Sequence, residues 1–115
     1  MKLIIAGGRD FDDSAKMIQA LECFDHDEGY IEIVCGGAKG ADSLGKAYAE
    51  ARGFRIKNFP ADWKKHNKAA GPIRNKQMGD YADALVAFWD GKSRGTKHMI
   101  EYMESLNKPV FIVRY

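Results

Sequence analysis

Short apolar runs recur along the chain, each closed by a turn-forming or polar segment. They are LIIA at residues 3–6, IEIVC at 31–35, the weaker RIKNF at 55–59, ALVAFW at 84–89, and VFIV at 110–113 after Pro109. Continuous rather than alternating, they fit strands buried on both faces of a parallel sheet. Between them the apolar spacing switches to a helical period. Met17, Ile18, Leu21 and Phe24 share one face, Ala41, Leu44, Tyr48 and Ala51 another, and Met99, Ile100, Met103 and Leu106 a last, with a weaker pattern around Ile73, Met78 and Ala82. Asp12 or Asp13 is placed to cap the first helix, Gly53 to end the second, and Asn107-Lys108-Pro109 to stop the last. Five strands alternating with four helices predict right-handed crossovers and a three-layer α/β/α sandwich. The one long irregular stretch is PADWKKHNKAAGP, Pro60 to Pro72, expected to be a functional loop.

Size and composition narrow this picture. A chain of 115 residues fills one domain, 1–115, and is too short for two ordinary ones. It is 45% hydrophobic and 30% charged, with no apolar run near the roughly 20 residues that span a bilayer, so a soluble protein without a membrane partner is expected. MKLIIAGGRD lacks a cleavage-type site after its short apolar run, which excludes a signal peptide and makes the cytoplasm the expected location. Cys23 and Cys35 form neither a CxxC pair nor a Cys/His cluster; reduced, packed thiols are expected, and no metal site. The net charge of +2 excludes a uniformly basic nucleic-acid binder. Any anion site must therefore be local.

The unusual residues gather at strand ends. Gly7-Gly8-Arg9-Asp10-Phe11 follows the first strand, Gly36-Gly37-Ala38-Lys39-Gly40-Ala41-Asp42 the second, Ala61-Asp62-Trp63 the third, and the segment WDGKSRGTKHMIE, from Trp89, the fourth. All four lie at strand C-termini, the edge where open parallel sheets bind ligands. Glycines let backbone N–H groups approach a ligand there, and a following helix N-terminus favours an anion. GGAKGAD suits a phosphate cradle, yet it has neither the G-x-G-x-x-G spacing nor a closing G-K-[S/T]. Arg9, Lys39, Arg74, Lys92 and Arg94 are positioned to surround the same edge, which points to a phosphate-containing ligand. Asp10, Asp42, Asp62 and Asp90 alternate with them, suited to ribose hydroxyls or to capping their own loops. Trp63 and Trp89 offer rings for a base, or core. His26, His66 and His98 are isolated and receive no catalytic role, and neither G-x-S-x-G nor H-E-x-x-H occurs.

In this order, GGRDF, CGGAKGAD, FPADW, AGPIRNKQM and FWDGKSRGT resemble the YspA-type, cpYpsA-related family of the SLOG superfamily. That Rossmann-like group is related to the DNA-processing protein A and Lonely-guy folds. The likeness runs from Lys2 to about Lys108. It implies a nucleotide or nucleotide-derived ligand at the strand C-termini, no separate cofactor, and a homodimer or higher homo-oligomer. The residues carried over by motif are Gly7, Gly8, Arg9 and Asp10; Gly36, Gly37, Lys39, Gly40 and Asp42; Asp62 and Trp63; Gly71, Pro72, Arg74 and Asn75; and Asp90, Gly91, Ser93, Gly95 and Thr96. Lonely-guy phosphoribohydrolases have P-G-G-x-G-T-x-x-E, and here Gly95-Thr96 keeps the Gly-Thr pair while Met99 stands at the Glu. Glu101 lies about 200° further around the helix. The resemblance thus implies binding, for sensing, sequestration or presentation. The alternative is an N-glycosidase or phosphohydrolase using Asp90, Asp42 and Arg74, with Asp10 behind them. A third reading, single-stranded nucleic acid on Lys64, Lys65, Lys68, Lys76 and the tryptophans, has the near-neutral net charge against it.

Overall fold

A computed structural model describes residues 1–25, 31–37 and 40–115. The elements follow one another as β1 (Lys2–Gly7), α1 (Ser14–Asp25), β2 (Glu32–Cys35), α2 (Ala41–Arg52), β3 (Arg55–Asn58), α3 (Trp63–His66), α4 (Ala70–Tyr81), β4 (Ala84–Trp89), α5 (Arg94–Ser105) and β5 (Val110–Arg114). Leu3 and Ile5 of β1 enter one core with Ala84, Val86 and Phe88 of β4, while Ile4 and Ala6 enter a second core with Leu85 and Ala87. Period-two geometry sends neighbours to opposite faces, so strands apolar at every position must be covered twice. Helices α1 and α2 cover the first face through Met17, Leu21, Tyr48 and Ala49, and α4 and α5 the second through Met78, Met99, Ile100 and Met103.

The strand order is β3-β2-β1-β4-β5, and every pairing is parallel. The chain therefore builds outward from β1 to β3, returns across the sheet, and builds outward again from β4. Beyond the C-terminal ends of β1 and β4, paired from Leu3↔Ala84 to Gly7↔Phe88, the loops diverge to opposite faces and leave a crevice.

The predicted helix-boundary signals act as expected: α5 ends at Ser105, with Asn107 at φ 58° ahead of Lys108-Pro109. Asp13 caps α1, its Oδ1 accepting from Lys16 N–H at 3.0 Å. Gly53 ends α2 at φ 73°. Three expectations need correcting. Pro60–Pro72 is not one irregular loop: Asp62 caps the four-residue α3, a 3₁₀ turn spans Asn67–Ala69, and α4 starts at Ala70 with Pro72 in its first turn, where no N–H is needed. Helix α3 buries none of its side chains, so it leaves no apolar period in the sequence. The apolar stripes of α1 and α2 are also narrower than the spacing implies, since Ile18 and Ala51 stay exposed at their margins. Leu106 is the C-cap of α5 rather than part of its buried face. Cys35 is a free, buried thiol 3.1 Å from Asn58 Oδ1. The Cys23 side chain, His26 and Lys39 lie outside the described residues, as does most of the connection expected from Asp25 to Tyr30. Among the described residues, no helix is long and apolar enough to cross a membrane.

Candidate functional site

The crevice is a cavity of about 560 Å³. Its floor is the end of β1, Ala6 and Gly7, with Met78 of α4 and Met99 of α5. Its walls are Gly71, Pro72, Arg74 and Asn75 on one side and Ser93, Arg94, Gly95, Thr96 and His98 on the other, with Arg9, Asp42 and Trp63 at the margin. A second hollow of about 420 Å³ shares Arg9, Trp63 and Arg74, and adds Gly36, Gly37, Pro60 and Ala61.

The start of α5 is locally over-determined. Asp90 Oδ1 accepts from the N–H groups of Lys92 (2.8 Å) and Ser93 (2.9 Å), and these donors hold its carboxyl below the usual range. Ser93 in turn caps the helix, its Oγ 3.4 Å from Thr96 N and 3.1 Å from Thr96 Oγ1. Trp89 donates from Nε1 to the Ser93 carbonyl at 3.1 Å, and the Arg114 guanidinium covers its ring at 5.2 Å. These bonds aim a three-turn helix at the cavity. The space where Gly95 would carry a side chain is open, so its backbone is accessible to a ligand. The unpaired N–H groups of that first turn carry partial positive charge.

The opposite wall hangs on Arg74. Its Nη1 donates to the Gly36 carbonyl at 2.7 Å and its Nε to Asn75 Oδ1 at 3.1 Å. Asn75 is buried, and its Nδ2 lies 3.2 Å from both the Gly95 carbonyl and His98 Nδ1. Hydrogen bonds therefore run from the end of β2 through α4 to α5. Asp42, also buried, accepts the Gly36 N–H at 3.1 Å through Oδ2. Burial, and then the Asp42 charge, push the Cys35 thiol above its ordinary range.

Of the residues anticipated from the sequence, Gly7, Arg9, Asp42, Trp63, Gly71, Pro72, Arg74, Asn75, Ser93, Gly95 and Thr96 line the main cavity, with Arg94, while Gly36 and Gly37 line the adjoining hollow. The others lie elsewhere. Gly8 is buried against Tyr115, whose hydroxyl donates to Asp10 Oδ1 at 2.6 Å; burial and Asp10 raise the Tyr115 pKa. Asp10 and Gly40 border a separate shallow hollow beside Ser43. Asp62 serves α3 and Asp90 its own turn, and Gly91 sits at φ 85° in that turn under Arg114. Lys92 is exposed and lines neither cavity. Trp89 is a core-edge residue, whereas Trp63 is 54% exposed and borders both hollows. Met99, where the phosphoribohydrolase pattern has Glu, is buried in the floor, and Glu101 is exposed away from it. His98 and Tyr115 were not anticipated. The signal for His98 was its position three residues after Gly95, on the same helix face.

The family model of the YspA, cpYpsA-related SLOG family matches residues 1–66. Across 116 residues the chain is 34% identical to the Gene 61 protein of Mycobacterium phage D29, covering 95% of this chain and 93% of the phage protein. Its structure is similar to DNA processing protein A (DprA) from Streptococcus pneumoniae, with a TM-score of 0.78 and 18% identity. That likeness covers 99% of this chain and 50% of the pneumococcal one, so the chain spans about half of that protein's length. What the two share is the fold.

Proposed function

The chain belongs to the YspA, cpYpsA-related SLOG family, and from that premise we propose that the sheet-edge cavity binds a nucleotide or nucleotide-derived small molecule by its phosphate. One observation carries the reading: Arg9, Arg74 and Arg94, from three separate segments, line one cavity together with the open backbone of Gly95. Like charges gathered at one hollow repel, and a bound anion relieves that repulsion while engaging the start of α5. Among the described residues the carboxylate lining this cavity is that of Asp42, which already accepts the Gly36 N–H.

In this reading Gly95 N–H and the Ser93–Thr96 pair hold the phosphate, and the arginines neutralise it. Trp63 lies beside them as a surface for the base. Binding is favoured over cleavage because Met99 fills the floor where the cleavage pattern wants an acid, and Asp90 is turned into its own loop. Sensing, sequestration or presentation of the ligand follows. The cytoplasm, where nucleotides are abundant, is the proposed location, and a homo-oligomer the proposed state.

Thermal-shift measurements with nucleoside monophosphates, ADP-ribose and NAD test the reading, since a native-state ligand raises the melting temperature with its concentration. Chromatography of the same mixtures should return the nucleotide unchanged. A cleaved base or released phosphate would transfer the site to the enzymatic alternative.

A further inference from the structure

Hydrogen bonding between α4 and α5 fixes the chemistry of a histidine that phosphate binding leaves without a role. Arg74 Nε carries a hydrogen and can only donate, so the Asn75 atom 3.1 Å away must be the acceptor Oδ1. The Asn75 Nδ2 then faces the Gly95 carbonyl, which can only accept, and both ends of the amide agree. The same Nδ2 lies 3.2 Å from His98 Nδ1. An amide NH₂ donates and does not accept, so His98 Nδ1 is the bare nitrogen and the ring hydrogen sits on Nε2. Asn75 is only 6% exposed, which makes a reversed amide costly, because it would set donor against donor and acceptor against acceptor out of water.

His98 lines the cavity with Met78 and Met99 of the floor. We propose that His98 is a ligand-recognition residue: locked by Asn75 as the neutral Nε2–H tautomer, it donates a hydrogen bond to an uncharged acceptor on the base of the bound nucleotide, a carbonyl oxygen or ring nitrogen. The inference rests on the nucleotide reading above and specifies the part of the ligand that reading leaves open. Charge on the ligand is met by Arg9, Arg74 and Arg94. An uncharged donor beside two thioethers matches instead the polarity of a base edge, flat and apolar with a few hydrogen-bonding atoms.

Two measurements test this together. A long-range proton–nitrogen correlation spectrum of the unliganded protein should show His98 with a bare Nδ1 and a protonated Nε2. Asn75→Asp, which offers an acceptor, should move the hydrogen to Nδ1; Asn75→Ala, which offers neither, should give a mixture and serves if the first variant does not fold. A wild-type His98 protonated at Nδ1 would overturn the lock. Calorimetric titration with AMP, GMP, NAD and ribose 5-phosphate then compares wild type with His98→Phe. Loss of one hydrogen bond should weaken whichever nucleotide binds by roughly tenfold and leave ribose 5-phosphate unchanged. Equal weakening of both, or of neither, overturns the inference alone. If wild type binds none of the four, the nucleotide reading and the role of His98 fall together.

Discussion

The Gly36 carbonyl accepts from Arg74 Nη1 at 2.7 Å, and a methyl group on Gly36 would sit 2.0 Å from that same nitrogen. The end of β2 is bare so that a guanidinium can lie across it, and this holds Arg74 between the two hollows. Arg74→Ala should weaken phosphate-bearing ligands at least tenfold and cost about 1 kcal/mol of stability, read by urea denaturation. Arg74→Lys should recover the charge without the two-directional fork, and so only part of the affinity. Full affinity in the alanine variant would remove Arg74 from the site.

Gly8 is small because of Tyr115. A Cβ there would stand 1.9 Å from the tyrosine hydroxyl oxygen but 3.3 Å from its ring carbon. Gly8→Ala alone should cost about 1–3 kcal/mol, and Tyr115→Phe alone about 1 kcal/mol for the lost bond to Asp10. Combined, they should cost less than the sum, because the phenylalanine no longer carries the clashing oxygen. Strict additivity in a double-mutant cycle would contradict this contact.

Acid should loosen the turn that aims α5. Two backbone N–H groups hold the Asp90 pKa below its unfolded value of about 4. A lowered folded pKa contributes stability that is present above the unfolded value and lost as pH falls through the folded one. The melting temperature of wild type should therefore exceed that of Asp90→Asn by a constant margin from about pH 5 to neutrality, and the margin should close below about pH 4. A margin that persists into strong acid would mean the charge contributes nothing.

How much of this was legible in the sequence differs from element to element. The central strands β1 and β4 were, because burial on both faces leaves unbroken apolar runs such as LIIA and ALVAFW. Their adjacency was not: no run records its neighbour, so the β3-β2-β1-β4-β5 order came only with the structure. Helix α3 left no period because it buries none of its side chains, although its cap, Asp62, stood in plain view as a polar residue after the third strand. The glycine-rich segments announced the sheet edge, and the arginines that converge there could be named. Which aspartates line the cavity could not: Asp90 bonds its own turn, but the Tyr115 partner of Asp10 lies 105 positions away and the place of Asp42 beside Gly36 at the cavity margin is set by how β2 and α2 pack. Arg74 and Gly36 lie 38 positions apart, and nothing local in either segment predicts their bond.

The central claim, a nucleotide held by its phosphate among Arg9, Arg74 and Arg94, is tested most directly by isothermal titration calorimetry. The titrants are AMP, ADP, ADP-ribose, NAD and the parent nucleoside adenosine, against wild type and the Arg9→Ala/Arg94→Ala double variant. Saturable heat is expected with at least one phosphate-bearing compound, weakening with added salt, reduced more than tenfold in the double variant, and absent with adenosine. No heat with any phosphate-bearing compound, or equal affinity in wild type and the double variant, would contradict it.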